Sequence, residues 1–124
     1  MLEETTKFNG LRVVDVNDGV DKLQFLLGSQ EVIKLSYKSV RDRLIVTNKK
    51  LLIIDKQGMT GRKKEYMIIP HNKISSFSCE SDGIFDLDAS LSVWASGLGK
   101  IEFEFLKGTD IRPLASIINE AICE

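Results

Sequence analysis

The feature that most constrains this chain is a change of hydrophobic period. From Glu31 to Leu106 apolar and polar residues fall in short runs, with turn signals every eight to twelve residues. That is the spacing of short strands in an all-β sandwich or barrel. Lys100–Phe105 is the cleanest run: Ile101, Phe103 and Phe105 share one face, and Lys100, Glu102 and Glu104 the other. Period two with charge on one side predicts a half-buried antiparallel strand, wet outside. Beyond Thr109 the period lengthens. Ile111, Leu114, Ala115, Ile118, Ala121 and Ile122 recur at spacings of three and four, the stripe of an amphipathic helix.

Seven strands are expected: Glu31–Lys38, Arg43–Thr47, Leu51–Lys56, Lys64–Ile69, Ile74–Glu80, Ala89–Trp94 and Lys100–Phe105. Pro70 has no N–H for a ladder and should end the fourth. The helix is expected over 109–123, with Thr109 as N-cap, Asp110 at the positive end of its dipole and Pro113 tolerated in the first turn. A helix this short is marginal alone. Its face Ile111, Leu114, Ile118 and Ile122 must therefore dock, and an open barrel end is the natural place. Val20, Leu23, Phe25, Leu26 and Leu27 suggest a short helix stopping at Gly28. The chain thus reads as a single domain, 1–124: an extension with a short helix (1–30), a seven-strand barrel (31–106) and a capping helix (109–123). At 124 residues it can bury a self-sufficient core. Its apolar runs reach only three or four residues, as in Leu51–Ile54, too short to cross a bilayer.

The start, Met1-Leu-Glu-Glu-Thr-Thr-Lys-Phe-Asn-Gly, has neither the basic nor the apolar region of a secretory signal, so a cytoplasmic address is expected. Cys79 and Cys123 stand far apart without a CxxC, and the reading is two reduced, buried thiols. One histidine and two cysteines cannot supply the four clustered ligands of a zinc site.

Seven antiparallel strands in two near-orthogonal sheets, capped by one C-terminal helix, is the architecture of the pleckstrin-homology superfold, a mainly β class. The residues resemble it as well. Asp42-Arg-Leu-Ile-Val-Thr-Asn-Lys-Lys-Leu-Leu-Ile-Ile-Asp-Lys-Gln-Gly and Gly61-Arg-Lys-Lys-Glu-Tyr-Met-Ile-Ile-Pro resemble the signature stretch of the bacterial pleckstrin-homology-like domains. So do Ile74-Ser-Ser-Phe-Ser, Phe85-Asp-Leu-Asp-Ala, Ile101-Glu-Phe-Glu-Phe and Lys107-Gly-Thr-Asp-Ile, in the same order. Lys50 departs from the arginine common at its position. The resemblance implies a non-enzymatic domain that assembles into a ring of identical subunits, often five-fold, and offers a hydrophilic surface to a protein partner.

Nothing in the chain advertises catalysis or a cofactor. His71, the only histidine, follows Pro70 at a strand exit without a Ser or Cys partner at recognisable spacing, and reads as a solvated loop residue. Asp86 and Asp88 could hold a cation, but alternate like the wet face of a strand or the lip of a turn. No glycine pattern forms a phosphate cradle. The charge of −1 and the lack of aromatics among the basic residues argue against nucleic acid. Trp94 belongs to the sixth strand, where packing in a core or interface is expected.

The total charge hides an asymmetry. Residues 1–37 sum to −2, residues 38–64 to +7 and residues 65–124 to −6. One reading is a self-complementary surface, in which the basic segment of one subunit meets the acidic segment of the next. Another is that strands interleave the segments and smear the charge out. The basic cluster, Lys38, Arg41, Arg43, Lys49, Lys50, Arg62, Lys63 and Lys64, is the candidate site. Lys38, Arg41 and Arg43 are spaced like the Lys…Arg-x-Arg motif with which phosphoinositide-binding relatives grip phosphates, so an anionic lipid surface is the alternative partner. The first turn is short for that purpose. Arg43 falls within a strand and could instead pair beside Asp42 or with Glu65.

Overall fold

The computed structural model describes residues 5–57, 62–81 and 89–123. In chain order these form β1 (Thr5–Val14), a 3-10 helix (Val20–Leu26), β2 (Ile33–Lys38), β3 (Asp42–Thr47), β4 (Lys50–Gln57), β5 (Lys63–Pro70), a second 3-10 turn (His71–Lys73), β6 (Ile74–Ser81), β7 (Ala89–Ala95), β8 (Gly99–Phe105) and α1 (Arg112–Ile122). Asp86 and Asp88 lie outside the described residues.

The expectation of seven strands in two sheets is corrected: among the described residues eight strands form one continuous sheet, in the order β5-β4-β3-β2-β1-β8-β7-β6. The extra strand, β1, lies in what the sequence presents as an extension. Its first half runs parallel to β8, pairing Thr5 with Lys100 and Phe8 with Phe103. Its second half runs antiparallel to β2, pairing Arg12 with Lys38. The register shifts between Phe8 and Leu11, where Gly10 takes a φ of 74° that a residue with a Cβ adopts only under strain. This bulge turns the strand from one half-sheet into the other. It also hides β1 from the sequence, because Phe8 and Leu11, both buried, stand three apart rather than two.

One principal core fills the space inside the bent sheet. Phe8, Leu11, Tyr37, Leu44, Val46, Leu51, Ile53, Leu91, Val93, Ile101, Phe103 and Phe105 belong to it, with Leu114 and Ile118 from α1. Phe8 stacks on Phe103 at 5.8 Å, and Tyr37 meets Phe105 edge-on at 5.1 Å. Between β5 and β6 the sheet does not close, and α1 packs there against β6 and the second 3-10 turn. The helix starts later than expected. Ile111 occupies the N-cap position, and the Asp110 carboxylate, not Thr109, takes the Arg112 N–H at 3.0 Å.

Ile45, Leu52 and Ile54 form a second cluster on the outer face, with Leu23 of the first 3-10 helix lying over them. Buried on both faces, β3 and β4 therefore read as unbroken apolar runs. Three further expectations are corrected. His71 is buried, 5% exposed, rather than solvated, and its Nε2 lies 2.9 Å from the Thr47 carbonyl. Cys79 and Cys123 are free but exposed, the first on edge strand β6 and the second just past the end of α1.

Candidate functional site

The eight basic residues are held by the β2–β5 half of the sheet, and the ladders divide them. Lys50 stands opposite Pro70 at one end of the β4–β5 ladder, and Gln57 opposite Lys63 at the other. Lys49 and Lys50 thus lie at the opposite end from Lys63 and Lys64. Lys49 is exposed in the β3–β4 turn.

Lys50 is engaged in a tether. Its ammonium bonds the Leu26 carbonyl and, at 2.9 Å, a Glu31 carboxylate oxygen. The Glu31 side chain is 2% exposed and that of Lys50 14%. Glu31 also accepts the Gly28 N–H at 2.9 Å and the Thr47 hydroxyl at 2.5 Å. Burial alone would raise the Glu31 carboxyl, but these three donors outweigh it and hold it below the ordinary range. The tether fastens the end of the first 3-10 helix to the β3–β4 hairpin, and β2 starts at Ile33, two residues after Glu31.

Lys38, Arg41 and Arg43 gather at the β2–β3 turn. Arg43 does not reach Glu65, which stands opposite Asp55. Its guanidinium turns to the outer face and donates to the Asp18 carbonyl and the Ser36 hydroxyl, both at 2.7 Å. A Cβ on Gly19 would lie 2.7 Å from its Nη1, so the 15–19 turn closes over it. Burial pulls the Arg43 guanidinium down, partly offset by Asp18. Lys38 lies 3.9 Å from the Asp18 carboxylate, and Arg41 donates to the Lys56 carbonyl at 3.4 Å. A groove of about 440 Å³ opens beside this turn, lined by Lys7, Arg12, Val40, Arg41, Asp42 and Leu106 among others. Asp42 faces Asp55 directly across the ladder, and burial together with that second carboxylate pushes its pKa up.

Arg62, Lys63 and Lys64 are exposed at the start of β5, which has a ladder partner on one side only. On the outer face the β4–β5 ladder runs Lys56–Lys64, Ile54–Tyr66, Leu52–Ile68 and Lys50–Pro70. The 3-10 helix covers the β4 side of these rows, but Tyr66 and Ile68 each remain 39% exposed and Phe25 71%. Phe25 and Tyr66 meet edge-on at 5.9 Å. The basic motif did not lead to this apolar group. Its only signal in the sequence is an apolar run too continuous for a strand wet on one side.

The α1 residues fall as follows: Leu114 and Ile118 are completely buried, Ile111 is at the margin of burial, and Ile122 is half-buried against the core. Trp94 is half-buried on the outer face of β7, with the Lys100 ammonium 5.5 Å from its ring centre. Among the described residues no helix is long and apolar enough to cross a membrane.

A sheet that bends through a shared first strand, with a C-terminal helix at its open seam, is a pleckstrin-homology-like fold. The bacterial PH domain family model matches residues 5–122, and the chain belongs to that family. Two uncharacterised Bacillus subtilis proteins are similar. YjqA is 38% identical over 105 residues, covering 83% of each chain. YozO is 30% identical over 114 residues, covering 92% of this chain and 98% of its own. Among solved structures, a DUF1696 family protein with a pleckstrin-homology domain from Shewanella loihica superposes with a TM-score of 0.79 at 35% identity, over 91% of this chain and 97% of that one. A pleckstrin-homology domain from Shewanella amazonensis gives 0.71 at 38% identity, over 89% and 100%.

Proposed function

We propose that this domain is a non-enzymatic scaffold that assembles head to tail into a closed ring of identical subunits and presents that ring to a protein partner. The observation that carries the reading is the unclosed sheet. The strands at its two ends, β5 and β6, are each paired on one side only, and a bare strand edge is a template for another chain. The two edges differ, with Lys63 and Lys64 on β5 and serines with Glu80 on β6. A contact between unlike surfaces is heterologous and makes a ring when its rotation closes. The basic 38–64 segment of one subunit meets the acidic 65–124 segment of its neighbour, with Tyr66 and Ile68 next to the joint.

The absolute solution mass, by light scattering on a sizing column at low and high salt, tests this. A single species several times the subunit mass is expected, loosening as salt screens the contact. Reversing Arg62, Lys63 and Lys64 together to glutamate should dissociate it. A monomer in both buffers overturns the ring, and an intact assembly of the triple variant overturns the role given to those charges.

A further inference from the structure

Among the described residues, the fold leaves an apolar group on the outer face of β5 uncovered. Phe25, Tyr66 and Ile68 present adjoining apolar surface to solvent, and the two rings hold each other edge-on at 5.9 Å. Exposed aromatics in such a setting are what binding hot spots are made of. On the 3-10 helix Asp21 stands beside Lys22, while on the strands the charge at the margin of the group has one sign. The row below it is Lys56–Lys64, and Lys22, three residues before Phe25, shares the face of the 3-10 helix that Phe25 occupies. Along these outer rows no carboxylate stands between the lysines and the aromatics: Asp55 and Glu65 alternate to the inner face with Ile53 and Met67. At the far end Lys50 is already neutralised by Glu31.

We propose that Phe25, Tyr66 and Ile68, with Lys22, Lys56 and Lys64, form the docking site for an amphipathic segment of a partner protein whose apolar stripe is flanked by carboxylates. The apolar residues of that segment cover the two rings and Ile68, and its carboxylates face the lysine row. The charge row selects this occupant, because it repels a basic segment while the bare rings favour any apolar one. The site deepens the scaffold reading by giving the partner a chemistry. It uses the face of β5 rather than its hydrogen-bonding edge, so a ring would carry one copy per subunit.

The test is titration of the ¹⁵N-labelled chain with three synthetic helical peptides: leucine stripe with glutamate flanks, the same stripe with lysine flanks, and a scrambled glutamate version. Amide shifts confined to the neighbourhood of Phe25, Lys56, Lys64, Tyr66 and Ile68 are expected with the first peptide only. Phe25→Ser, at a mostly exposed position, should weaken binding about tenfold or more while melting like wild type, and Lys64→Glu should move the preference toward the lysine-flanked peptide. Shifts elsewhere, equal response to all three peptides, or indifference to Phe25→Ser overturns the site. Two other outcomes reassign the patch and also overturn the proposal. If Phe25→Ser lowers the assembly mass, a second copy covers it. If Phe25→Ser abolishes sedimentation with phosphatidylglycerol vesicles that wild type binds, the patch meets a membrane. A ring with no peptide response overturns only the docking site, whereas a monomer that still binds the first peptide overturns only the ring.

Discussion

The two halves of the sheet solve the same problem differently. In β6, β7 and β8 the outer face is polar and mostly wet: Ser76 stands opposite Trp94 and Glu80 opposite Ser90, and of these outer residues only Ser92, opposite Ser78, is buried. Glu102 and Glu104 continue it, and Lys7 of β1 lies 3.4 and 3.2 Å from their carboxylates. In β3 and β4 the outer face is apolar and needs a lid, which the first 3-10 helix supplies over Ile45, Leu52 and Ile54. A wet face needs only alternation. A lidded face needs fastenings, and all the fastenings are polar: Lys50–Glu31–Thr47 at one end and Arg43–Asp18–Ser36 at the other. The basic residues that resemble an anion site in the sequence are in part these fastenings.

If both halves rest on one core, a charge in their common plug should unfold them together. Leu114→Asp or Ile118→Asp places a carboxylate among completely buried side chains, which costs several kcal/mol against a total of about 5–15. The variants should be largely unfolded, with Trp94 fluorescence and far-UV circular dichroism reporting one coincident loss. A wet half that stays folded would show two independent cores.

The lid should come loose before the wet half does. Glu31→Ala leaves the Lys50 ammonium, 14% exposed, without its carboxylate. Removing one partner of a buried pair costs about 3 kcal/mol. Urea melts should show that loss, with hydrogen exchange rising first around Leu23 and Leu26. The Glu31 carboxyl is held low in the folded chain, so its contribution is present above the unfolded value of about 4.3 and disappears as pH falls through the folded one. Glu31→Ala should therefore lose its disadvantage in acid. Gly19→Ala attacks the other fastening more gently. It puts a Cβ against the Arg43 guanidinium at a φ of 68°, for a cost of about 1–2 kcal/mol.

The same comparison explains what the sequence could say. Strict alternation in Lys100–Phe105 is legible because a wet face leaves its signature in every second residue. The stripe of α1 is legible for the equivalent reason at period 3.6, although its start moved to Arg112 because Asp110 caps the chain from outside the helix. β1 was not legible, since its bulge breaks the period at the point where the strand changes partners. The basic cluster was legible as charge but not as geometry. Lys50 and Arg43 find partners in Glu31 and in the Asp18 carbonyl, 19 and 25 residues away, and only the fold brings those together. His71 and the cysteines were misplaced because exposure at a strand exit or edge depends on what packs over it.

The smallest expected effect runs in the opposite direction. Asp42 and Asp55 face each other directly across the β3–β4 ladder, one buried Asp42 oxygen has no hydrogen-bond partner, and no lid residue belongs to that row. Like charges directly opposite on a sheet cost about 0.2–1 kcal/mol, so Asp42→Asn should stabilise the domain by that order at pH 7. The sign follows from the raised Asp42 carboxyl. The folded chain holds its proton more tightly than the unfolded one, so the group's favourable contribution is present in acid and is lost as pH rises through the folded value. The advantage of Asp42→Asn should accordingly shrink as pH is lowered, opposite to the trend for Glu31→Ala, when both are followed by urea midpoints from pH 7 to 4. A variant less stable than wild type at pH 7 would mean that the Lys56 N–H and the Arg41 charge, which draw the carboxyl the other way, govern the row instead.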